Sequence, residues 1–117
     1  RDIGPVRLVT HDAGEGVGAD DLRSLVLDVR TRLGHERPVV VAMTAATAGK
    51  PVVVVATDEG ARAAGVRAGA LVKLAAKVLG GGGGGKDDLA QGGGTDATRM
   101  GQALGAIEEH LRAAGRG

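Results

Sequence analysis

The spacing of apolar residues predicts three helices. Apolar side chains recur every three to four positions after Asp20-Asp21, again over 68–79, and after Thr95 or Asp96, which is the period of a helix. Carboxylates suit the N-terminal end of a helix, where free N–H groups and the helix dipole favour negative charge. The residues predicted to face the core are Leu22, Leu25, Val26, Val29 and Leu33 in the first helix, Leu71, Leu74, Ala75 and Val78 in the second, and Met100, Ala103, Leu104, Ile107 and Leu111 in the third.

Short runs of β-branched residues predict strands between these helices. Pro5–Thr10 forms a first strand, Gly34 ends the first helix, and residues 39–43 and 52–56 form two more strands. The last two runs do not alternate with polar residues, which indicates that both faces of their sheet are covered. Residues 44–51 between them are expected to form an antiparallel hairpin with a slightly long turn.

The order of these elements predicts the fold class. It is β-α-β-β-α-(β)-α, where the bracketed strand is a short one at residues 88–91. The class is therefore α/β, a small mixed or antiparallel sheet packed against about three helices, since strands joined by a hairpin do not make a doubly wound sheet. A length of 117 residues fits one globular domain, 1–117. The chain begins with Arg1 rather than Met, so we expect it to be a fragment of a longer protein.

The composition limits the chemistry. The chain has no Phe, Tyr, Trp or Cys, so the core must be aliphatic, and disulfides and thiolate metal sites are excluded. Without aromatic rings for base stacking, any RNA contact should be made to the backbone and shape of the nucleic acid. The lack of Cys fits a reduced, cytoplasmic setting, which we expect for this chain. No apolar run approaches the roughly 20 residues that span a bilayer, so we expect no membrane partner.

The charge is distributed unevenly. The net charge is only +1, yet residues 61–86 contain five bases and no acid, a local charge of +5. Such a basic stripe is typical of a phosphate-facing surface, or simply of a solvated helix face. The bases are Arg62, Arg67, Lys73, Lys77 and Lys86.

The segment 80–96, GGGGGGKDDLAQGGGTD, is the most unusual stretch. A flexible linker is one interpretation, but two helices flank the segment and Leu89-Ala90-Gln91 interrupts it. A phosphate-binding P-loop needs Ser or Thr where Asp87 stands, and it would follow a strand rather than a helix. A structured glycine bed, which another segment or another molecule approaches closely, explains the composition better.

A catalytic site is the remaining interpretation of the polar residues. His11, His35 and His110 are scattered and lack metal-ligand spacing, and adjacent Asp87 and Asp88 make a poor acid–base pair. We therefore predict no catalytic residue, no metal site and no cofactor in this chain. The carboxylate of Asp88 is expected to hold the glycine backbone through N–H bonds.

The segment resembles the glycine-rich signature of the C-terminal, DHHA1-type domain of alanyl-tRNA synthetases. That pattern is a glycine run, a base, Pro, Asp, Met, Ala, Gln, a small residue, Gly and Gly. The departures are Asp87 for Pro and Leu89 for Met, the second of which conserves volume. Related DHH phosphoesterases have a substrate-contacting His where Lys86 stands. The matching residues are Lys86, Asp88, Ala90, Gln91 and Gly92–Gly94.

The resemblance implies a non-catalytic accessory domain of an alanine–tRNA ligase. In that family the domain contacts the outer corner of tRNA, where the D and T loops meet, and supports aminoacylation and editing. The implied partners are tRNA, expected to be alanine-specific, the other synthetase domains and, as in some members of the family, a second copy of the chain. The alternatives are a dimerisation or protein-docking module and the substrate-binding half of a DHH-type phosphoesterase.

The residues expected to contact RNA follow from this resemblance and from their chemistry. Glycine backbone can approach a folded RNA closely and offer N–H groups, while lysine and arginine contact phosphates. Gln91 either reads a base edge or, as we favour, pins the glycine bed. The predicted set is Lys73, Lys77, Gly82, Gly83, Gly84, Gly85, Lys86, Gln91 and Arg99.

Overall fold

The computed structural model describes residues 2–3, 6–33 and 36–115. The predictions for Pro5, Gly34 and His35 lie outside these residues. A 3₁₀ turn, Ala97–Arg99, leads directly into the last helix. The elements are β1 Asp2–Ile3, β2 Val6–Glu15, α1 Ala19–Arg32, β3 Val39–Thr47, β4 Lys50–Thr57, α2 Glu59–Ala63, α3 Ala68–Val78, β5 Gly83–Gly85, β6 Leu89–Gly93 and α4 Met100–Gly115.

The six strands form one mixed sheet in the order β1-β2-β3-β4-β6-β5. Strands β2 and β3 are parallel and are connected through α1, whereas every other neighbouring pair is antiparallel. The expected mixed α/β class and the order of the main elements are confirmed. The short elements β1 and α2 were not expected, and β2 continues five residues beyond Thr10.

Helices cover both faces of the sheet. Helix α1 packs on β3 and β4 from one side, while α4 packs on β1–β3 and α3 on β4–β6 from the other. Residues Val39–Ala46 of β3 are all buried as a result. The prediction that both faces of these strands are covered is therefore confirmed. A strand covered on both faces needs no polar residues, so its apolar run is continuous.

The hairpin between β3 and β4 is tighter than expected. The strands continue to Thr47 and Lys50, and a two-residue turn of Ala48 and Gly49 connects them. Both turn residues have positive φ, 53° and 77°, the geometry of hairpin turns whose twist matches that of the strands. The predicted long turn over 44–51 is wrong, since most of those residues pair across the sheet.

Helix α1 presents a narrower face to the core than its sequence pattern suggests. Leu22 and Val26 are fully buried, and Val29 and Leu33 pack at the margin. Leu25 is 39% exposed, so its predicted place in the core is wrong. The helix packs chiefly on β3 and β4, and the row of Leu22, Val26, Val29 and Leu33 faces that contact.

The two helices on the other face also differ in how well they were predicted. All five core positions predicted for α4 are buried. In α3, however, Val72 and Ala76 join Leu71 and Ala75 in the core, while Leu74 and Val78 only pack against it. The buried face of α3 is therefore displaced toward β5 and β6, where small side chains allow the helix to come close.

Candidate nucleic-acid interface

The glycine segment forms an ordered β-hairpin at the edge of the sheet. Strand β5 pairs with β6 in the register Gly83↔Gly92, Gly84↔Gln91 and Gly85↔Ala90. Strand β6 continues the sheet by pairing with β4, so β5 is the edge strand. Lys86–Asp88 connects the two strands. The linker alternative is excluded by this pairing.

Several glycines are required because segments of this chain touch each other there. A Cβ on Gly92 would lie 2.9 Å from Val72 Cγ1 and 3.1 Å from Ala76 Cβ, so α3 packs directly on the hairpin backbone. A Cβ on Gly81 would overlap the backbone of Gly93, and one on Gly94 would overlap the backbone of Leu79. Much of the glycine content therefore serves the internal packing of the domain.

Two glycines of the first run have no such requirement. Among the described residues, a Cβ on Gly82 would meet nothing within 4 Å, and the only contact for one on Gly84 would be Lys73 Cε at 3.7 Å. Both residues lie on the outer part of the hairpin, so an external molecule could approach their backbone. The stem of Lys73 therefore reaches over the edge strand beside Gly84.

The turn at the end of the hairpin is held by hydrogen bonds to its carbonyl oxygens. The Asp87 carbonyl accepts from the Ala68 N–H at 2.9 Å and from the Thr57 hydroxyl at 2.6 Å. The Asp88 carbonyl accepts from the Thr57 N–H at 3.0 Å. Thr57 is fully buried at the end of β4. The turn that carries Lys86 is thus fixed to both β4 and the start of α3.

These bonds correct the expected roles of two side chains. Asp88 holds the turn through its main-chain carbonyl, and within the described residues its carboxylate accepts no hydrogen bond. The predicted pinning role of its side chain is therefore wrong. The Gln91 amide likewise has no hydrogen-bond partner among the described residues, so it does not pin the hairpin and stays available to a ligand.

Gln91 points away from helix α3, but the end of the Lys73 side chain reaches the face of the hairpin on which Gln91 lies. Side chains alternate along a strand, and the neighbouring position Gly92 faces Val72 of α3. Gln91 therefore points away from α3, whereas Lys73 and Lys77 belong to that helix. Gly84 is the register partner of Gln91, and a Cβ on Gly84 would lie 3.7 Å from Lys73 Cε, so one ligand at the edge strand β5 can contact both Gln91 and Lys73.

Three lysines flank the exposed hairpin. Lys86 opens its turn, and Lys73 and Lys77 lie one helical turn apart on α3, where all three are exposed. In the described part of the chain, no carboxylate lies within 4.0 Å of any of their ammonium groups. Their positive charge is therefore available to an anionic partner.

The arginines near the hairpin are already engaged. Arg99 lies at the opposite end of β6 from Lys86, and its guanidinium is 3.2 Å from Asp96. Hydrogen bonds from the hydroxyl and backbone N–H of Thr98, together with the charge of Arg99, hold the pKa of Asp96 below its usual value of 3.8. Arg67 is 4.0 Å from Asp87, and Arg62 donates to the Thr57 carbonyl.

The remaining candidate residues are not assembled into a site. His11 on β2 and His110 on α4 are both exposed and belong to different elements. Residues 2–3, 6–33 and 36–115 contain no group of three His, Cys, Asp or Glu side chains that could hold a metal ion. No helix in the same ranges is both long and apolar enough to cross a membrane.

Sequence reasoning missed Thr57 and Arg30. Thr57 fixes the turn from the end of β4, and Arg30 at the end of α1 donates to the carbonyls of Thr57 and Asp88. A lone Thr that ends a valine run, immediately before an Asp, was the only local signal for the first. Nothing near Arg30 in the sequence indicates its contact, because 58 residues separate it from Asp88.

The mixed sheet, the helices on both faces and the glycine hairpin define a known class of domain. The DHHA1 domain family model matches residues 6–113, and the chain belongs to this family. Within it, the chain is similar to the C-Ala domain of the Aquifex aeolicus alanyl-tRNA synthetase. The two share 29% sequence identity and a TM-score of 0.85, with 96% of each chain covered.

Curated relatives point to the same enzyme. The chain is 63% identical over 108 residues to the alanine–tRNA ligase of Kineococcus radiotolerans and 53% identical over 111 residues to that of Thermobifida fusca. These matches cover 92% and 95% of the chain but only 12% of each ligase. The resemblance to the C-terminal domain of alanyl-tRNA synthetases is confirmed, and the chain spans about an eighth of the length of its relatives.

Proposed function

We propose that this chain is a single, non-catalytic domain of a cytoplasmic alanine–tRNA ligase and that it binds tRNA. The tRNA is expected to be alanine-specific and to be contacted at its outer corner, in support of aminoacylation and editing by the other domains. The observation that carries the proposal is the exposed glycine edge strand β5, flanked by three lysines without a described carboxylate partner.

The edge of β5 supplies hydrogen-bond donors as well as access. The N–H of Lys86 bonds to Leu89, and the N–H of Gly93 bonds to Gly82. Because hydrogen-bonded and non-hydrogen-bonded pairs alternate in an antiparallel ladder, the N–H groups of Gly83 and Gly85 point away from β6. Backbone N–H groups beside lysines suit phosphate oxygens and ribose hydroxyls of a folded RNA.

Charge reversal on α3 tests the proposal. We expect Lys73→Glu/Lys77→Glu to weaken tRNA binding by about tenfold or more at low salt and to reduce the salt dependence, because phosphate contacts are lost. A mobility-shift titration at several KCl concentrations measures both quantities.

The matched control is Arg23→Glu/Arg32→Glu, which changes the charge equally on the surface of α1, at the half-buried Arg23 and the exposed Arg32. Each of those arginines is paired with a carboxylate on the same helix, and such exposed pairs contribute little to stability. We expect the control to weaken binding less than about threefold. Equal affinities for the wild type and the lysine variant at low salt would refute the proposal.

The runner-up function is dimerisation through the unpaired edge of β5, since an exposed edge strand can pair with a second copy. Light scattering across a concentration series separates the two functions, because only this alternative requires a mass that rises with concentration. The phosphoesterase alternative is disfavoured, since the curated relatives are alanine–tRNA ligases.

A further inference from the structure

Two half-buried arginines converge on one backbone oxygen at the end of β4. Arg62 Nη1 of α2 lies 2.6 Å from the Thr57 carbonyl oxygen, and Arg30 Nη1 of α1 lies 3.2 Å from the same atom. Arg30 Nη1 is also 3.4 Å from the Asp88 carbonyl oxygen. Together they line an open cleft of about 310 Å³ between α1, α2 and the hairpin turn.

This pair of guanidinium groups differs from the other arginines. Within the described residues, neither Arg30 nor Arg62 has a carboxylate within 4.0 Å. Because both contact a single oxygen, their Nη1 atoms are less than about 6 Å apart, a distance at which like charges repel. By contrast, seven of the described arginines do have a carboxylate within 4.0 Å: Arg7, Arg23, Arg32, Arg37, Arg67, Arg99 and Arg112.

Both side chains keep donors for a further ligand. A guanidinium has five N–H donors in a fixed fork, and the bonds found here use only one nitrogen of each arginine. A phosphate placed between two guanidinium groups would accept charge-assisted hydrogen bonds from both and remove their repulsion. The neutral Thr57 carbonyl cannot do so.

The cleft lies next to the RNA-binding surface proposed above. Lys86 opens the turn whose last carbonyl, Asp88, contacts Arg30. Lys73 and Lys77 flank the hairpin from α3, whereas Arg30 comes from α1 on the opposite face of the sheet. Positive groups without a described carboxylate partner therefore occur on both sides of the hairpin.

We propose that Arg30 and Arg62 form a second phosphate-binding subsite, which takes a backbone phosphate of the RNA bound at the hairpin. This inference rests on the proposed function for the identity of the ligand. The RNA then passes around the end of the β5–β6 hairpin, with phosphates on the lysines at one side and on the arginine pair at the other.

Three carboxylates also line the cleft and shape its selectivity. Asp58 is buried and already accepts hydrogen bonds from the N–H groups of Val39 and Ala61. Glu59 is exposed and Asp88 is half-buried. Their charge weakens the binding of free anions, so inorganic phosphate should bind only at millimolar concentration, whereas a phosphate that the rest of the RNA brings into place should bind more tightly. Glu59→Gln should therefore tighten tRNA binding, by about twofold or more.

The salt dependence of tRNA binding tests the subsite. Arg62→Gln and Arg30→Gln should each weaken binding several-fold and, together, reduce the slope of log K against log salt by about 0.7–0.9, the loss of one phosphate contact. The matched control is Arg32→Gln, which removes a charge from the same end of α1. Unlike Arg30, Arg32 is paired with a carboxylate, that of Asp28. We expect this control to leave the slope unchanged.

A double-mutant cycle separates direct contact from positioning of Lys86. If the arginines act only by holding the turn, Arg62→Gln should have no further effect in a Lys86→Ala background. A direct contact predicts the same loss of slope in both backgrounds. Slopes that fall only when Lys86 is present would overturn the subsite.

A titration of the wild type with inorganic phosphate gives an independent readout. The Nε–H resonances of Arg30 and Arg62 should shift at millimolar phosphate, while those of Arg32 should not. Unmoved resonances would overturn the subsite whatever the fate of tRNA binding. If Lys73→Glu/Lys77→Glu abolishes tRNA binding while Arg30→Gln and Arg62→Gln match Arg32→Gln, the subsite fails and the proposed function stands. If none of the variants weakens binding, the proposed function fails.

Discussion

Two neighbouring hairpins of one sheet are built on opposite principles. In β3 and β4 most side chains are buried and apolar, and helices cover both faces. In β5 and β6 most positions are glycine, and α3 packs directly against the backbone. Both hairpins are ordered and share the β4–β6 ladder. The comparison shows that a strand can be held in a sheet in two ways. Its side chains can pack into a core, or glycines can let a helix contact its backbone directly.

The difference distinguishes the glycines that internal packing requires from those whose backbone is open to a ligand. Gly81, Gly83, Gly92 and Gly94 are explained by contacts inside the molecule, whereas Gly82 and Gly84 are not. In the β3–β4 hairpin the buried apolar side chains point into the hydrophobic core on one face of the sheet or the other. Only the second presents bare backbone to the outside, and the lysines are found beside it.

Adding atoms to the glycine hairpin should have the largest effect. We expect Gly92→Val to lower the free energy of unfolding by about 3 kcal/mol, because the new side chain collides with Val72 and Ala76. Gly82→Ala is the matched control for stability, since its Cβ meets nothing within 4 Å. Urea denaturation measures both. Equal losses in the two variants would contradict the close approach of α3.

Removing atoms from the aliphatic hairpin should have the next largest effect. Val54 is fully buried between β3 and β6 under α1. We expect Val54→Ala to cost about 2 kcal/mol, from lost burial and the cavity left behind. The same urea titration gives the value. A loss of stability smaller than that of Gly82→Ala would contradict the tight packing around Val54, because it would mean that the core beneath α1 relaxes to fill the cavity.

Filling a polar defect in the aliphatic hairpin should be stabilising. The hydroxyl of Thr44 in β3 is fully buried, and among the described residues it has no hydrogen-bond partner. Thr44→Val keeps the shape and removes the unsatisfied group, so we expect a gain of about 1 kcal/mol. A rise in the midpoint of thermal unfolding checks this. A decrease would show that the hydroxyl is satisfied in solution.

The smallest effect is expected at the open end of the glycine hairpin. Asp96 is held below its ordinary pKa by Thr98 and Arg99, so its ionised form stabilises the fold above about pH 4. Asp96→Asn keeps a capping side chain but removes the charge. The stability difference between wild type and variant should be small at pH 7 and vanish as the pH falls below 3.8. A difference that grows in acid would have the wrong sign.

The sequence predicted those parts of the fold for which the residues of a single helix or strand were sufficient. Continuous valine runs indicated strands covered on both faces, and the apolar period of α4 identified its buried face. The prediction failed where the buried face of a helix depends on the element packed against it. Leu25 fits the helical period but is exposed, because it lies beside the row of α1 side chains that faces β3 and β4. The buried face of α3 was misjudged because its partner is a surface of glycines.

The candidate site was predicted in composition but not in arrangement. The glycine run and Lys86 were found from local sequence, as were Lys73 and Lys77. That Gln91 points away from helix α3 follows from strand alternation once the pairing is known, and the pairing is not local. Arg30 and Thr57 contribute through contacts of about 30 residues or more in sequence separation, which no local pattern reveals.

The two-residue turn at Ala48 and Gly49 has a consequence for the order of assembly. It brings β3 and β4 together over a minimal loop, so this hairpin can form within about 1–10 μs. Pairing of β4 with β6 must first close a loop that contains α2, α3 and β5, and such non-local contacts form later. Substitutions near the turn should therefore slow folding, and those in the glycine hairpin should chiefly speed unfolding.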